Sequence, residues 1–487
     1  MLAKFYDTLL WEYIKNPWIR WISLDKLSIK DFWYKMISYD EITNQKKINF
    51  KDVDLKQASI YSWEDVYITN KIYEKHIKEK INENKVLNEI EIPLIQVLKK
   101  MEIDWVYIDW DILKWIWTLL DNEINRLEKN IFDEVEEKFN INSPKQVWEI
   151  LFNKLALPKG KKTKTWFSVW IEVLWELAKD YPIAQKIVDY RHYSKIKSTY
   201  VLWLLWLIDE NNLVHTNYNS ALTTTWRLSS TNPNLQNIPS SNWIAWEIRS
   251  AFISRFEKWK IITIDYSQVE VRILAIMSGD KNLLDAFKNW LDIHHKTAEF
   301  IFPWKTITSN ERKIAKWVNF WVIYWISWFW LSKMLWINMK DAKSYIDKFF
   351  ESYPDVKIFL DNTITFCEKN NYVETLFWRK RYINWINDLN KIIKWSAQRE
   401  AINMPIQWTS ADIIKISMIN TYNFLINNNL KSKLIMQVHD ELVFDVYPWE
   451  EKIIETEIKN IMQNILIDKP IKLKVDVWMW NNWKEAK

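Results

Sequence analysis

The chain has 487 residues, of which 26% are charged and 48% are hydrophobic. That balance is typical of a globular protein with roughly two to four domains, and it excludes a disordered or fibrous chain. A net charge of +5 is only mildly basic, which is compatible with nucleic acid as a partner without requiring it. The single cysteine, Cys367, excludes a disulfide framework and a CxxC metal site.

Tryptophan and glycine occur in unusual proportions, with 35 tryptophans and only 2 glycines. A chain of this length ordinarily contains roughly 34 glycines, at about 7% of its residues. The excess of one residue therefore nearly equals the deficit of the other. We predict that most of the tryptophans stand where the source organism inserts glycine. This would follow if a codon translated here as tryptophan, most plausibly UGA, is decoded there as glycine.

The first part of the chain is predicted to contain two unlike regions. Residues 1 to about 85 alternate short apolar runs with polar stretches, which favours a mixed α/β fold. From Glu91 to about Ile208, apolar residues recur at three- and four-residue spacing, which predicts a series of helices. The N-terminal apolar stretch contains acidic residues and lacks a small-residue cleavage site, so it does not resemble a signal peptide.

The second part is predicted to combine strands with a long helical region. After Asn219 turn-forming residues dominate, and the β-branched run IITI predicts a strand that ends on Asp265. Helices are expected from about Leu284 to Asn428. The sequence LIMQVHDELVFDV predicts a β-hairpin with His439 and Asp440 at its tip.

One apolar segment, residues 317–331, has the composition of a membrane span but not its length. A spanning helix needs about 20 apolar residues. The segment also follows a charged run, and it loses most of its hydrophobicity if its tryptophans are glycines. We therefore expect no membrane role.

Two acidic tips on apolar strands are the strongest chemical signals in the sequence. Asp265 ends one predicted strand, and Asp440 lies between two others with Glu441 beside it. An aspartate among apolar residues is costly unless it is paired or binds a cation, although a turn aspartate is a common alternative at a hairpin tip. Together the carboxylates suit two Mg²⁺ ions, which prefer oxygen ligands and keep substrate phosphates in their shell.

A second set of candidate residues follows a four-residue spacing along one predicted helix. Such spacing places side chains in a row on one helix face. Two cations followed by two aromatic rings can bind a triphosphate at one end and stack a base or sugar at the other. The alternative is an amphipathic helix with solvated cations and core aromatics, but the order of the side chains favours a functional row. The four residues are Arg312, Lys316, Phe320 and Tyr324.

Three longer blocks resemble, in this order, motifs A, B and C of the bacterial DNA polymerase I family (family A). They are DYSQVEVRILAIMSGD, RKIAKWVNFWVIYWIS and QVHDELVF. Four more segments resemble further blocks of the same family: TTTWRLSSTNPNLQNIP, ETLFWRKRY, NMPIQWTSADIIK and VDVWMWNNWKEAK. The resemblance extends from about residue 5 to the end of the chain.

The resemblance implies a mixed α/β fold shaped as a right hand, with an N-terminal remnant of a ribonuclease-H-like exonuclease domain. It implies template-directed DNA synthesis from dNTPs on primer–template DNA, in replication or repair, by a cytoplasmic, nucleoid-associated monomer. The implied domains are a truncated 3′–5′ exonuclease-like domain (1–88), the thumb (89–212), the first part of the palm (213–284), the fingers (285–395) and the second part of the palm (396–487).

The resemblance also implies roles for individual residues. Asp265 and Asp440 would bind two Mg²⁺ ions, with the Tyr266 backbone carbonyl assisting and Glu441 as a further catalytic carboxylate nearby. Glu270 would exclude a ribose 2′-OH. The residues implied to bind the incoming dNTP are Gln268, Glu270, His294, Arg312, Lys316, Phe320 and Tyr324. The residues implied to contact the primer–template are Arg227, Gln236, Asn237, Arg399, Asn403, Gln407 and His439.

The tryptophan hypothesis can be compared with the family pattern position by position. Trp483 falls where the family itself has tryptophan, whereas Trp246 and Trp317 match neither residue well. Eleven positions fall where the family has glycine: Trp105, Trp148, Trp166, Trp226, Trp321, Trp325, Trp330, Trp378, Trp408, Trp478 and Trp480. Glycine suits turns and close backbone approaches because it has no Cβ.

The N-terminal region departs from the family pattern. Asp7, Tyr61 and Asp65 resemble the second and third motifs of the proofreading exonuclease. The first motif, an Asp-x-Glu pair, is absent, and so is the 5′ nuclease domain. Either proofreading is lost in this lineage, or Met1 is a false start created by an upstream codon misread as stop; we favour the second interpretation.

Two other functions remain open on the sequence. A catalytically inactive DNA-binding relative is expected if the tryptophans are real, because Trp321, Trp325 and Trp408 would fill the nucleotide site. A single-subunit RNA polymerase or a reverse transcriptase would share the carboxylates. Glu270 and the TTTWRLSSTNPNLQNIP block argue against that third interpretation.

Overall fold

A four-stranded antiparallel sheet lies at the centre of the computed structural model, which describes residues 6–17, 22–158, 170–239, 243–325 and 327–486. Its strands are rich in isoleucine, valine and leucine, which pack well on a pleated surface. The predicted hairpin is confirmed, because two of the strands are adjacent and joined by a turn at His439 and Asp440. In spatial order the strands are Lys474–Trp480, Lys260–Ser267, Glu441–Val446 and Lys433–Val438.

The two faces of this sheet pack against different hydrophobic clusters, because successive side chains of a strand point in opposite directions. Ile262 and Phe444 belong to a large cluster that includes residues of the helix Lys391–Asn427. Ile261 and Val443 point the other way, into a cluster that contains residues of the helix Trp110–Val135. Because strand side chains alternate with a period of two, residues 261, 263 and 265 share one face.

The strand that carries Asp265 is longer than the sequence predicted. It continues to Ser267, so the expectation that it ends on Asp265 was wrong by two residues. The extension is stabilised by the edge strand, since Val475 and Lys474 pair with Tyr266 and Ser267. That partner is more than 200 residues away in the sequence, which is why the local pattern did not reveal it.

The N-terminal region is helical, and the predicted mixed α/β character of residues 1–85 was wrong for its described part. No strand precedes Val106 within the described residues. The polar stretches form exposed helix faces: in Leu55–Lys78, Ile68 and Ile72 are buried and Asp54 caps the first turn. The elements are Thr8–Lys15, Leu24–Phe32, Tyr39–Ile42, Phe50–Asp52 (3₁₀), Leu55–Lys78 and Ile81–Glu83 (3₁₀).

The next region is helical as predicted. Trp110–Val135 packs along Pro182–Ile196, and a small sheet pairs Val106–Tyr107 with Leu213–Val214. The helices are Val86–Glu91 (π), Ile92–Asp104, Trp110–Val135, Pro144–Glu149, Ile150–Lys154 (π), Trp170–Leu177, Pro182–Ile196, Lys197–Val201 (π) and Leu202–Leu207.

A short irregular segment then leads to the central sheet. It contains the paired strands Asn217–Asn219 and Ser229–Thr231, which agrees with the predicted strand-and-turn character after Asn219. It continues through Leu235–Asn237 (3₁₀), Trp243–Glu247 and Ile248–Ala251 (3₁₀) to the first central strand. Gly279 ends the helix Val269–Ser278 at φ +68°, a left-handed cap that favours glycine.

The predicted helical region between Leu284 and Asn428 is confirmed, with one hairpin inserted in it. Tyr372–Glu374 pairs with Lys380–Tyr382. Among the described residues, none of the helices combines the length and the apolar composition that a bilayer crossing requires. The helices are Lys281–Lys288, Ile293–Ile301, Ser309–Tyr324, Trp328–Leu335, Met339–Ser352, Pro354–Asn370 and Lys391–Asn427, followed beyond the hairpin at 433–446 by Glu451–Ile453, Ile454–Ile458 (π) and Lys459–Gln463.

Candidate active site

The two predicted aspartates lie side by side at one end of the central sheet. The Tyr266 backbone N–H donates to the Asp440 carbonyl at 3.1 Å, which fixes the hairpin turn against the strand that carries Asp265. Glu441 pairs directly with Asp265 across neighbouring strands. His439 adopts φ +55° in the turn. The structure therefore brings together the carboxylates that the sequence singled out.

Tyr266 anchors this end of the sheet from the opposite face. Its hydroxyl lies 2.6 Å from Ser417 Oγ and donates to the Met462 carbonyl at 2.8 Å. Burial raises the pKa of the Tyr266 phenol, so the side chain stays neutral. Its role in the structure is to hold the strand, and hence Asp265, against the helix Lys391–Asn427.

The carboxylate oxygens suit a hard cation, although the three acidic groups are not gathered into one tight cluster. Within the described ranges, the group of three possible ligands whose atoms all lie within 4.8 Å of one another is Glu12, His76 and Glu79, far from this sheet in the chain. Glu441 is instead engaged by the Trp483 indole at 2.8 Å. Asp265 and Asp440 remain the half-buried pair with the donor chemistry that Mg²⁺ prefers.

The predicted row of two cations and two aromatic rings is confirmed on one helix, Ser309–Tyr324. Arg312 and Lys316 are exposed, whereas Phe320 and Tyr324 are half-buried. The Lys316 ammonium lies 5.8 Å from the Phe320 ring centroid, and the Phe320 and Tyr324 rings stack with centroids 6.3 Å apart. The charged part of the row therefore faces solvent, and the aromatic part approaches the sheet.

Arg312 has a partner that the sequence did not reveal. Its Nε donates to Asp292 Oδ2 at 2.6 Å, while the other oxygen of Asp292 caps the helix Ile293–Ile301. The pairing holds the guanidinium near the start of the row. An anion that binds there competes with Asp292, whose pKa this network keeps below its usual value although burial opposes it.

His294 is buried beneath the row and is only 3% exposed. Its Nδ1 lies 2.8 Å from the Asn319 amide nitrogen. Burial, together with the nearby charges of Arg312 and Lys316, lowers the pKa of His294 to about 4, although Asp292 opposes this shift. His294 is therefore neutral near pH 7 and acts as a hydrogen-bonding group rather than as a cation.

This environment predicts a pH-dependent contribution to stability. The unfolded chain protonates His294 near pH 6.5 and the folded chain only near pH 4, so the free energy of unfolding falls as the pH drops from about 6.5 to about 4. The pKa shift of His294 corresponds to a loss of about 3 kcal/mol in the free energy of unfolding once the pH is below about 4. His294→Gln removes this pH dependence in denaturant unfolding, whereas the exposed neighbour variant His295→Gln retains it. Parallel curves for His294→Gln and the parent chain would contradict the assignment.

A hydrogen-bonded network joins the helical row to the sheet. Glu270, 7% exposed, accepts from Arg227 Nη2 at 2.8 Å and from the Tyr324 hydroxyl at 3.0 Å. Burial raises the pKa of Glu270, and the Asp440 charge adds to this effect. The carboxylates of Asp440 and Glu270 raise the pKa of Arg227 although its burial opposes the charged form. Asn403 completes the junction by donating to the Tyr324 carbonyl at 3.3 Å.

The predicted DNA contacts fall into two groups. Arg399, Asn403 and Gln407 are spaced by four residues on Lys391–Asn427 and therefore share one side of that helix. Gln236 is buried, and its Nε2 donates to Gln437 Oε1 at 2.7 Å, which ties the 235–237 turn to the hairpin.

Other residues of the predicted dNTP and DNA sets lie around these groups. Asn237 is exposed beside Gln236, and His439 is exposed at the hairpin tip. Gln268 adopts φ +55° at the start of the helix that carries Glu270. Gln437, which sequence reasoning missed, also donates to the His439 carbonyl.

Two of the three exonuclease-like residues share a groove. Asp7 and Asp65 both line it, although Asp7 also caps the first helix by accepting from Leu9 N at 2.8 Å. Tyr61 lies one helical turn before Asp65. The nearby Glu12, His76 and Glu79 are not a spare cation site, because lysines neutralise them. The ion pairs are Lys15–Glu12, Lys30–Glu12 and Lys15–Glu79.

Many tryptophans adopt backbone conformations that favour glycine. Of the 21 non-glycine residues with positive φ in the described part of the chain, eight are tryptophan. Four of the eight belong to the positions where the family has glycine: Trp105, Trp226, Trp325 and Trp378. The other four are Trp33, Trp290, Trp336 and Trp449. Bulky residues rarely adopt these angles because Cβ clashes with the backbone.

Some tryptophan side chains are also closely packed or left without a hydrogen bond. Trp321 and Trp325, at the end of the helix that carries Tyr324, stack with ring centroids 5.9 Å apart. The indole nitrogens of Trp226 and Trp321 are buried and lack a hydrogen-bond partner. The Trp105 and His215 ring centroids are 3.4 Å apart, closer than aromatic pairs prefer. Trp166 lies outside the described residues.

Comparison with known proteins identifies the family. The sequence profile of DNA polymerase family A matches residues 111–485. The chain is similar to DNA polymerase I of Lactococcus lactis (43% identity over 405 residues, 82% of this chain and 46% of that protein) and of Bacillus subtilis (39% over 488 residues, 99% and 55%). The chain thus spans about half the length of the curated relatives it matches. It belongs to DNA polymerase family A.

The fold agrees with this assignment. The structure is similar to the POL domain of Pol1 from M. smegmatis, solved in complex with DNA primer-template and dNTP. The TM-score is 0.87 at 28% sequence identity, over 99% of this chain and 82% of that chain. The mixed α/β polymerase fold that the motifs implied is confirmed.

Proposed function

We propose that this chain is a template-directed DNA polymerase, which transfers deoxynucleotides from dNTPs to a primer 3′-OH. The proposal rests chiefly on one observation: the Tyr324–Glu270–Arg227 network joins the row of cations and aromatics to the sheet end that carries Asp265 and Asp440. The proposed triphosphate-binding row and the carboxylate pair are thus linked through one buried glutamate, Glu270. The names of the relatives support the same function, and so does the similar solved structure, which contains primer-template DNA and dNTP.

The residues present fit two divalent cations. Asp265, Asp440 and the Tyr266 carbonyl would hold them. When bound, such ions activate the attacking hydroxyl and stabilise the leaving phosphate. The chain's own contribution is positioning: Arg312 and Lys316 would neutralise the triphosphate, while Phe320 and Tyr324 would pack against the sugar and the nascent base pair.

We assign the domains on the same basis. The paired helices at 110–135 and 182–196 belong to a thumb (89–212), and the helices between Ile293 and Asn370 belong to fingers (285–395). The central sheet forms a palm from residues 213–284 and 396–487. Segment 1–88, which is helical in its described part, would be the exonuclease-like remnant, with Asp7, Tyr61 and Asp65 as vestigial site residues.

The tryptophans bear directly on whether this chain can be active. We infer that glycine belongs at the eleven positions where the family has it, because four of them have positive φ and the buried indole nitrogens of Trp226 and Trp321 lack a hydrogen-bond partner. The protein with glycine at all eleven is called here the glycine-restored chain. If every tryptophan is real, the strained backbone of Trp325 beside Tyr324 favours the second candidate, an inactive DNA-binding relative.

Sugar selection provides a test that is specific to a DNA polymerase. In the glycine-restored chain, Glu270→Ala lowers the preference for dNTPs over rNTPs by about 10²-fold, because the buried side chain no longer excludes a 2′-OH. Single-nucleotide incorporation with dCTP and CTP opposite template dG measures this ratio. The control, Glu299→Ala, removes an exposed carboxylate paired with Lys296 and keeps the parental ratio. An unchanged ratio in Glu270→Ala would refute the role of Glu270.

A further inference from the structure

We propose that Trp483 is a positioning residue that holds the Glu441 carboxylate at the active site through its indole N–H. The proposal rests on the proposed polymerase function, since Glu441 faces Asp265. Trp483 is fully buried, and its Nε1 donates to Glu441 Oε1 at 2.8 Å. Glu441 is itself only 2% exposed. An indole N–H can donate but cannot accept, so it fixes one orientation of the Glu441 carboxylate.

The indole is held tightly enough to set that orientation. The Arg249 guanidinium lies 4.0 Å from the Trp483 ring centroid, and the Phe252 ring meets it edge-on at 5.2 Å. Arg249 Nη2 donates to the Ile238 carbonyl at 3.0 Å and Arg249 Nε donates to the Pro239 carbonyl at 3.3 Å, which fixes the guanidinium against the ring. The ring is thus confined by a cation and by an aromatic edge.

The backbone around Trp483 is also fixed to the palm. The Trp483 N–H donates to the Phe252 carbonyl at 2.9 Å, and Asn482 forms a β-bridge with Ile253. Thr263 donates its hydroxyl to the Ala486 carbonyl. Thr263 and Asp265 share one face of their strand. The hydrogen bond from Thr263 therefore holds the segment around Trp483 against the same face of the sheet as Asp265.

The position of the Trp483 indole affects Asp265 through the Glu441 carboxylate. Because Glu441 pairs with Asp265 across adjacent strands, a rotation of its carboxylate changes the field and the hydrogen bonding beside Asp265. If the Trp483 ring only filled space, phenylalanine could replace it without loss of activity. If the ring orients Glu441, the replacement loses activity because phenylalanine has no N–H donor.

A double-mutant cycle in the glycine-restored chain separates these two roles. Trp483→Phe keeps an aromatic ring and removes the donor, so single-turnover incorporation slows about tenfold, as expected for a lost hydrogen bond to a charged group. The apparent KM for dNTP changes less than about twofold, because the row on the fingers is untouched. In the Glu441→Gln background the same replacement has little further effect, since the two residues act as a unit. Trp246→Phe, which changes a second indole ring whose centroid lies 5.3 Å from the Arg249 guanidinium, is the matched control and keeps the parental rate.

A second measurement does not depend on activity or on the folding of the tryptophan variant. In ¹⁵N-tryptophan-labelled protein, Glu441→Ala shifts one buried indole N–H resonance and speeds its hydrogen exchange. The same resonance is absent from Trp483→Phe if that variant folds. Equal rate losses in the parental and Glu441→Gln backgrounds, or indole resonances unchanged by Glu441→Ala, would overturn the proposal. A chain without polymerase activity would instead refute the proposed function, and the indole measurement would still decide the contact.

Discussion

Asp440→Asn in the glycine-restored chain abolishes primer extension, with a rate loss of at least about 10³-fold. The carboxylate lies in the hairpin turn, fixed by the Tyr266–Asp440 backbone hydrogen bond, and its replacement by an amide removes a proposed cation ligand without altering that bond. Asp265→Asn has the same effect from the neighbouring strand. Affinity for primer–template DNA is expected to change less than about threefold, since the substitution removes no basic residue and phosphate binding depends on lysine and arginine.

Rapid-quench incorporation measures the rate, and fluorescence anisotropy with labelled primer–template measures the affinity. The matched control is Asp468→Asn, an exposed aspartate whose side chain lies 3.6 Å from Lys469. It is expected to keep both parental values. Extension at the parental rate by Asp440→Asn would refute the assignment of the cation ligands.

The second large effect concerns the tryptophans themselves. The chain with its literal tryptophans incorporates nucleotides at least about 10²-fold more slowly than the glycine-restored chain, because Trp325 is forced to φ +45° directly after Tyr324 and misplaces that ring. The literal chain is also less stable, since each bulky residue forced into a positive φ costs about 1 to 3 kcal/mol. Single-turnover rates and thermal unfolding midpoints of the two proteins test both statements.

Two matched variants distinguish a requirement for glycine from a requirement for any small side chain. Alanine at the four aligned positions with positive φ removes the indoles but keeps Cβ, so it restores less stability than glycine does. Glycine at Trp483 has the opposite effect and destabilises the protein, because that ring fills the core and binds Glu441. Equal activity of the literal and glycine-restored chains would refute the inference that glycine belongs at these positions.

The central motifs could be predicted because their chemistry is local in sequence. The hairpin around His439 and Asp440 and the row from Arg312 to Tyr324 each follow from a short run of residues with a regular period. The structure confirmed both. The turn geometry and the helix face are set by neighbours within about a dozen residues, which is the range that pattern reasoning covers.

The parts that sequence reasoning missed depend on contacts between distant segments. The strand through Asp265 is extended by an edge strand more than 200 residues later. Asp292, Gln437 and Trp483 have no pattern of their own, and each matters through a partner elsewhere in the chain. The N-terminal helices were misjudged because their polar faces resemble the alternation of strands and loops.

The most direct test of the account is single-nucleotide incorporation by the glycine-restored chain on four primer–templates that differ only at the templating base. Each reaction contains one dNTP and Mg²⁺, and the product is read by electrophoresis. We expect extension of the primer by the complementary nucleotide on each template, with loss of extension in Asp440→Asn. Absence of extension on every template, or incorporation that ignores the templating base, would contradict the proposal that this chain is a template-directed DNA polymerase.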